Sequence, residues 1–358
     1  SGIERIEVLK GSQSALYGSE AIGGLVDIST FRPVDLGFSG DTSIEYGTYN
    51  TYIGGVNLGY VTERAEIALT YGVVRTDGFS ARAGNDEADG LDQETLTVYG
   101  EYEIANSLTA GLSLYRRDSL SEYDTSATNT AGELDASEQG YEVFAEYSNG
   151  IGTHRLGYSV FDITKQDPTP GAFTTLFEGQ REELSYEGRF DLGEDRTLTV
   201  GANRTVETLL LEGFGITTGE ATSTSVQAEY LFAPVEDVNV SIALRHVQDE
   251  DFGGQTTGRL AVAWTPQDDL TVRALVGSGY RAPSLYERFS AAGNPGLQPE
   301  QSLSYELGVE KAFGDAANLR ATVFRTEVED LIDFDFAATV CGSGFGCYNQ
   351  VPGTTVSQ

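Results

Sequence analysis

No stretch of this chain approaches the roughly 20 consecutive apolar residues that a membrane-spanning helix needs, and only 39% of its 358 residues are hydrophobic. A helical membrane protein is thereby excluded. A protein that crosses a bilayer with strands is not, because strands hide their apolar residues by alternation. Positive charge is also scarce: 22 Lys and Arg stand against 55 Asp and Glu, a formal net charge of -33. Nucleic acid is excluded as a partner, since its binders carry a basic footprint. The acidity reads either as a solvated, salt-adapted surface or as a cation-binding role. Only two histidines occur, His154 and His246. Neither has a nucleophile or acid at a suggestive spacing, which argues against catalysis. The glycines Gly18, Gly23 and Gly24 lack the Lys-Ser/Thr that would make a phosphate loop. A single Trp stands against 19 Tyr, 17 Phe and 43 Gly, and glycine with aromatics suits curved sheets and membrane girdles.

Cysteine is nearly absent too. Cys341 and Cys347 enclose Gly-Ser-Gly-Phe-Gly, and three glycines make a tight closed loop easy. An oxidising compartment would join them in a disulfide; otherwise they are two free thiols. The chain opens at Ser1 and stops at Gln358 just as another strand begins, so it is expected to be an internal piece of a longer protein.

What is present in abundance is period-2 alternation. Leu96, Val98 and Tyr102 alternate with Thr97, Tyr99, Glu101 and Glu103. Val226, Ala228, Tyr230 and Phe232 alternate with Ser225, Gln227 and Glu229, and Leu303, Tyr305, Leu307 and Val309 with Ser304, Glu306 and Glu310. Tight connections are expected near 62–63, 105–106, 149–150, 193–194, 234–235, 266–267 and 314–315. Long loops are expected at about 77–92, 119–138, 165–180, 211–222, 249–255, 279–301 and 329–346. A meander with all its short turns at one end and its long loops at the other is the layout of a transmembrane β-barrel. Tyr60, Tyr102, Tyr147, Phe190, Phe232, Trp264 and Phe313 share the apolar parity beside the short turns, as an interfacial girdle would. The pattern predicts an all-β, antiparallel transmembrane barrel of which about 15 strands, each of about 10–12 residues, are complete and another begins near Tyr348. Cys341 and Cys347 then fall in an outer loop, which favours the disulfide. Residues 1–31 differ: strand Ile3–Leu9, a turn or short helix at Ser14–Gly18 and a second strand, Leu25–Ser29, make a small α/β piece.

Two stretches carry a family signature. Residues 3–30, IERIEVLKGSQSALYGSEAIGGLVDIST, resemble the end of the plug domain of TonB-dependent outer-membrane receptors. Residues 280–310 resemble that family's barrel motif, with Tyr280-Arg281-Ala282-Pro283-Ser284-Leu285-Tyr286, then Gly293-Asn294-Pro295, Leu297, Pro299-Glu300 and Ser304-Tyr305-Glu306-Leu307-Gly308-Val309-Glu310. Ser12 stands where the family usually has Pro, and Lys10 where Arg is usual. The resemblance implies a plug piece over residues 1–33 and an incomplete barrel over residues 39–358, where the family has 22 strands around a plug. It implies the outer membrane of a Gram-negative bacterium, contact with outer-membrane lipid, no enzymatic activity, and active import powered by the partner TonB. A passive, porin-like diffusion pore is the alternative. The stretches Gly18–Gly24 and Asp330–Asn349 look most like the vitamin B12 (cobalamin) branch, and ferric siderophore receptors share much of this wording.

The resemblance also implies site residues. Family plug arginines pair with barrel glutamates, which here maps to Arg5 and Lys10 against Glu306 and Glu310; the alternative is that these charges simply meet lumen water. No cofactor is expected beyond structural calcium. The cobalamin branch binds it with loop aspartates, here Asp86, Asp89, Asp92, Asp118 and Asp124, which offer the hard oxygens calcium takes. The alternative is a solvated acidic loop. Substrate-binding residues are not assigned by the sequence.

Overall fold

The computed structural model describes residues 2–19, 21–80, 82, 87–125, 131–172, 174–213, 215–314, 316–338, 341–342, 344, 346–351 and 354–357, with 131 and 354–357 as backbone alone. The chain opens with strand β1 (Ile3–Lys10), the one-turn helix α1 (Ser14–Tyr17) and strand β2 (Gly24–Thr30). β1 and β2 pair antiparallel as a sheet of their own.

A continuous meander follows: β3 (Gly37–Tyr46), β4 (Tyr52–Val61), β5 (Ala65–Thr76), β6 (Leu91–Ala105), β7 (Leu108–Asp124), β8 (Ala131–Asn149), β9 (Gly152–Gln166) and β10 (Thr174–Asp191). It goes on through β11 (Arg196–Gly213), β12 (Ile216–Val235), β13 (Val238–Asp249), β14 (Gly253–Gln267), β15 (Leu270–Arg281), β16 (Glu300–Phe313) and β17 (Ala317–Glu329), with helix α2 (Leu285–Phe289) between β15 and β16. Each strand pairs antiparallel with the next. Interior strands thus satisfy their backbone groups on both sides, which is the condition for crossing lipid.

The burial pattern is that of a transmembrane barrel, apolar outside and polar within. Leu112, Val143, Leu184, Val226, Leu244, Leu307 and Val323 are all exposed, Val226 at 56% and Leu307 at 54%. Leu96 and Leu303 lie on the same outward face. The opposite face buries hydroxyls instead: Thr70, Thr205, Ser225, Ser302 and Ser304. A water-soluble sandwich would do the reverse. Tyr60, Tyr102, Tyr147, Trp264 and Phe313 stand exposed beside the short turns, as the girdle reading expects. His154 joins that belt, its ring stacked near Tyr147 and Tyr186 and edge-on to Phe190 at 5.4 Å.

Two expectations are corrected. β3, β4, β5, β13 and β15 have the expected 10–12 residues, but the other wall strands from β6 to β17 are longer, reaching 20 in β12, and the connections expected at 119–138, 165–180 and 211–222 are correspondingly shorter. Their polar segments keep pairing beyond the apolar band, as Glu122 with Glu133 and Glu212 with Ile216 do. Cross-strand polar contacts support them there: Asp118 accepts from Ser137 at 2.8 Å, Asp162 from Gln180 at 2.8 Å, and Arg117 meets Glu138. Secondly, the strand near Tyr348 is not part of the barrel wall. Asp330 takes a left-handed turn (φ 56) after β17. The chain then forms a separate hairpin of β18 (Leu331–Asp335) and β19 (Cys347–Val351). The sixteenth strand of the main sheet is β20 (Thr354–Ser357), paired with β17.

Candidate functional site

The opening segment enters the hollow of the curved sheet and touches its polar inner face at several points. Ser12, 1% exposed, donates its hydroxyl to the carbonyl of Ser278 on β15 at 3.0 Å. This gives the serine at that position a use proline could not supply. Gly279 makes room for it: a Cβ there would come within 2.9 Å of both Ile22 and Ser12. Gly11, at φ +77, abuts the Glu306 carboxylate on β16. At the exit from the segment, the Arg32 guanidinium lies 3.0 Å over the Tyr99 ring and pairs with Glu66 at 3.2 Å. Pro33 packs where any Cβ on Gly59 would need to be, 2.6 Å away. The piece is thereby fastened to the wall at its middle and at its exit.

Its apex is α1, closed by a hydrogen bond from the Gln13 N–H to the Ala21 carbonyl at 2.9 Å. Between this apex and the wall formed by β10–β13, β15 and α2 lies a cavity of about 460 Å³. Leu16–Ser19 of the apex line it, with Arg181, Glu183, Glu207, Arg245 and Asp249 from the wall and Tyr280, Leu285 and Arg288 from the outer end. Most of its charges are committed. Arg181 holds Glu207 at 2.7 Å and Glu183 at 3.1 Å. Arg288 holds Asp251 at 2.6 Å. Asp249 caps the following turn through the N–H groups of Asp251 (2.8 Å) and Phe252 (3.0 Å). Arg245 differs: among the described residues it donates only to neutral oxygens, those of Gln227, Asn203 (3.2 Å) and the apex carbonyl of Leu16 (3.5 Å).

The outer end is built around one arginine. Ser284 opens α2 with a capping box, its N–H donating to Glu287 at 2.7 Å and its hydroxyl accepting from the Glu287 N–H at 3.2 Å. The same Glu287 carboxylate binds Arg281 at 3.0 Å, while Arg281 also grips Glu300 bidentately at 2.6 and 2.8 Å. Glu300 then accepts the Ile332 N–H at 2.7 Å, tying the β18–β19 hairpin to the loop. The Tyr348 N–H donates to the Ala292 carbonyl at 3.0 Å, and the Gln350 amide to that of Gln298 at 2.9 Å. Cys341 and Cys347 form the expected disulfide across the hairpin's connection, with Cα atoms 6.0 Å apart.

The structure sorts the other residues singled out by sequence. Arg5 stands exposed and pairs with Glu7 on its own strand at 3.4 Å. Glu310 is already held by Arg273 (2.9 Å) and Arg320 (3.0 Å) of the wall. Lys10 and Glu306 line a second cavity, of about 440 Å³, with Arg259. Among the described residues no ion pair joins Arg5 or Lys10 to either glutamate, so the expected plug–barrel pairing is not formed. Wall arginines neutralise Glu310, and the backbone at Gly11 faces Glu306. Of the calcium candidates, Asp89 and Asp124 come together with Glu87, their ligand atoms within 4.8 Å of one another. Asp92 pairs instead with Arg75 at 3.2 Å, and Asp118 with Arg116 at 2.7 Å. Asp86 lies outside the described residues. Sequence reasoning missed Glu87, Arg245 and Arg288 and gave Tyr280 and Arg281 no role. An inward-parity arginine such as Arg245, between Leu244 and His246 on the outer face, was the available signal.

Comparison with known proteins follows the same lines. Residues 30–358 match the profile of the family described as "TonB dependent receptor-like, beta-barrel", and residues 1–25 that of the "TonB-dependent Receptor Plug Domain". The vitamin B12 transporter BtuB of Vibrio vulnificus is 24% identical over 347 residues, 93% of this chain and 55% of that protein. Its counterpart in Photobacterium profundum is 26% identical over 342 residues, with the same shares covered. The chain therefore spans about half the length of these curated relatives. Among solved structures, the siderophore receptor PirA of Pseudomonas aeruginosa superimposes with a TM-score of 0.81 at 21% identity, covering 99% of this chain and 68% of that one. A mutant of the ferric enterobactin receptor PfeA from the same organism gives 0.81 at 18%, covering 99% and 64%. At these identities the likeness is one of fold.

Proposed function

This chain belongs to the TonB-dependent receptor family, and from that premise we propose that the protein it comes from is an outer-membrane importer. A scarce, large nutrient, cobalamin or a ferric siderophore, is captured from outside at the cavity over the plug apex. TonB, energised from the inner membrane, then rearranges the plug and releases the nutrient inward. The observation that carries this reading is the seating of the apex: Ser12, Gly11 and Arg32 fasten it across the polar hollow, so that a ligand meets a stoppered site rather than an open channel. A porin-like pore has no use for such a stopper. The family is one of transporters and receptors, not enzymes.

Uptake by cells carrying the full-length protein tests it. Radiolabelled cyanocobalamin or ferric enterobactin should accumulate in energised cells. A protonophore should abolish accumulation while leaving surface binding intact. Uptake that continues unchanged after the gradient collapses would contradict active import.

We also propose that Glu87, Asp89 and Asp124 hold a calcium ion that orders the outer loops. Three carboxylates within 4.8 Å, with the Ser80 hydroxyl 3.3 Å from Asp124, form a hard-oxygen set of the type calcium prefers. Burial and the neighbouring charges of Asp124 and Asp89 hold the Glu87 carboxyl above its ordinary range. A divalent cation would relieve that repulsion, so binding should release protons. Affinity should therefore be greatest at neutral pH and fall as pH drops through the raised Glu87 range. Calorimetry on the full-length protein checks this, with Asp124→Asn as the weakened variant; no heat at millimolar calcium would end the idea.

A further inference from the structure

We propose that Arg204, Thr224 and His246 form a site on the outer face of the barrel for the phosphate of a phosphorylated lipid in the outward-facing leaflet. The inference goes beyond import. It concerns the lipid-facing surface and needs only that the barrel stand in a bilayer.

The three residues share one face. Arg204 on β11 lies opposite Leu184 on β10 and Thr224 on β12. Val226, two residues along β12, lies opposite His246 on β13. Residues opposite one another across a ladder, and residues two apart along a strand, point to the same side. Leu184, Val226 and Leu244 mark that side as the exposed, apolar outer face.

They also share one height. On β11 the partners of the girdle residues Phe190 and Phe232 are Leu198 and Arg196, so Arg204 stands six to eight residues up the strand from the girdle. On β13 the partners of Phe232 and Trp264 are Val240 and Val238, which puts His246 the same six to eight residues up. In a strand tilted by about 40° this is roughly 15–21 Å, near the top of an apolar band about 25 Å tall. An arginine side chain at that level reaches up to carry its guanidinium among the headgroups. Neighbouring strands lie about 4.8 Å apart, so Arg204 and His246 stand about 10 Å from one another, with Thr224 between them.

Charge identifies the occupant. The other outward arginines near this height are already neutralised: Arg75 by Asp92 and Glu94, Arg116 by Asp118 and Arg325 by Glu327. Arg204 is exposed and, among the described residues, no carboxylate pairs with it. Glu182, diagonal to it across the β10–β11 ladder, instead accepts the Tyr158 hydroxyl at 3.0 Å. His246 is steadied through Nδ1 by the Thr256 hydroxyl at 2.9 Å, which leaves Nε2 for another partner. Arginine can only donate, and its planar fork fits phosphate oxygens. Beneath the polar row, Val226, Ile242, Leu244 and Leu260 offer an exposed apolar surface to acyl chains. The patch therefore has both halves that a phosphorylated amphiphile requires. With a net charge of -33, the rest of the surface repels anionic headgroups, which makes this a discrete site rather than part of a ring.

The test uses full-length receptor, stripped of lipid in detergent. It is titrated with an acylated glucosamine disaccharide bisphosphate and, in parallel, with the same lipid after its phosphates are removed; native mass spectrometry counts the lipid retained. The wild type should retain one molecule of the bisphosphate and hold the dephosphorylated lipid about tenfold less tightly. Arg204→Gln should weaken the bisphosphate by about tenfold and melt as the parent does, since Arg204 has no ion pair to lose. His246→Ala should weaken it about threefold. Arg116→Gln, at the same height but paired with Asp118, should change it by less than about twofold. Inorganic phosphate at millimolar concentration should not displace the lipid. Equal retention of the two lipids, Arg204→Gln binding as the wild type does, equal weakening by Arg116→Gln, or displacement by phosphate alone overturns the proposal. No arm of the test needs TonB, nutrient or gradient, so its failure is distinct from protonophore-insensitive uptake, which would fell the import reading instead.

Discussion

Replacing Arg281 with methionine should detach the β18–β19 hairpin from the outer loop and cost about 3–5 kcal/mol of stability. The size follows from what the substitution leaves behind. Glu300 has a side-chain exposure of 3% and Glu287 of 14%, and Arg281 neutralises both. Without it, two carboxylates remain buried side by side with only N–H and hydroxyl donors for company. Removing one member of a buried ion pair is far more damaging than removing all of them. The triple variant Arg281→Met, Glu287→Gln and Glu300→Gln should therefore regain much of the loss. Urea unfolding of the full-length protein, with hydrogen exchange across residues 331–351, reads both effects. A single variant as stable as its parent would show that the hairpin is held by the Gln298–Gln350 and Ala292–Tyr348 contacts instead.

Gly11→Val should unseat the plug. The backbone there has φ +77, and a Cβ would overlap the Glu306 carboxylate. Left-handed backbone costs an L residue about 1–2 kcal/mol, and β-branching makes it worse. The Glu306 carboxylate is the end of a flexible side chain beside a cavity and can swing aside, so the expected effect rests chiefly on the left-handed backbone. The segment should withdraw, and full-length protein in planar bilayers should pass from closed to conducting. Gly23→Ala is the matched control: no atom lies within 4 Å of a Cβ added at that position, and it should remain closed. Conductance in neither variant would mean that the segment's other fastenings, Ser12 and Arg32–Pro33, suffice alone.

The barrel was legible because two-residue periodicity is set by pleat geometry and cannot be mimicked by a helix. Leu96, Val226 and Leu303 fall on the outward face that their parity assigns. Strand ends were not legible. Beyond the lipid, alternation gives way to polar residues such as Glu122, Asp135 and Glu212, which read as loop yet remain in the ladder. The hairpin strands Leu331–Asp335 and Cys347–Val351 carry apolar and aromatic residues, as a wall strand does. The left-handed turn at Asp330 takes the hairpin off the wall, and the Glu300–Ile332, Ala292–Tyr348 and Gln298–Gln350 bonds, which are tertiary, hold it against the outer loop. The disulfide was readable from seven consecutive residues. The charge partners were not, because sequence shows which side of a strand an arginine is on and not which neighbour reaches it first. Glu310 is taken by Arg273 and Arg320 from the flanking strands, at positions close to its own. Likewise Asp92 and Asp118 are drawn to arginines one strand or two residues away, which leaves Glu87 to complete the acidic cluster.

Collision accessibility of nitroxide labels in reconstituted full-length protein tests the central claim most directly, since every functional step assumes a lipid-facing cylinder stoppered by its own opening residues. Labels at Val226, Leu244 and Leu307, three of the most exposed apolar positions on the outer face, should collide readily with membrane-dissolved oxygen and hardly at all with a water-soluble nickel chelate. Labels at Gln13 and Ala15, 3% and 1% exposed at the apex, should meet neither. Outer-face labels quenched by the nickel chelate, or apex labels open to it, would contradict the account.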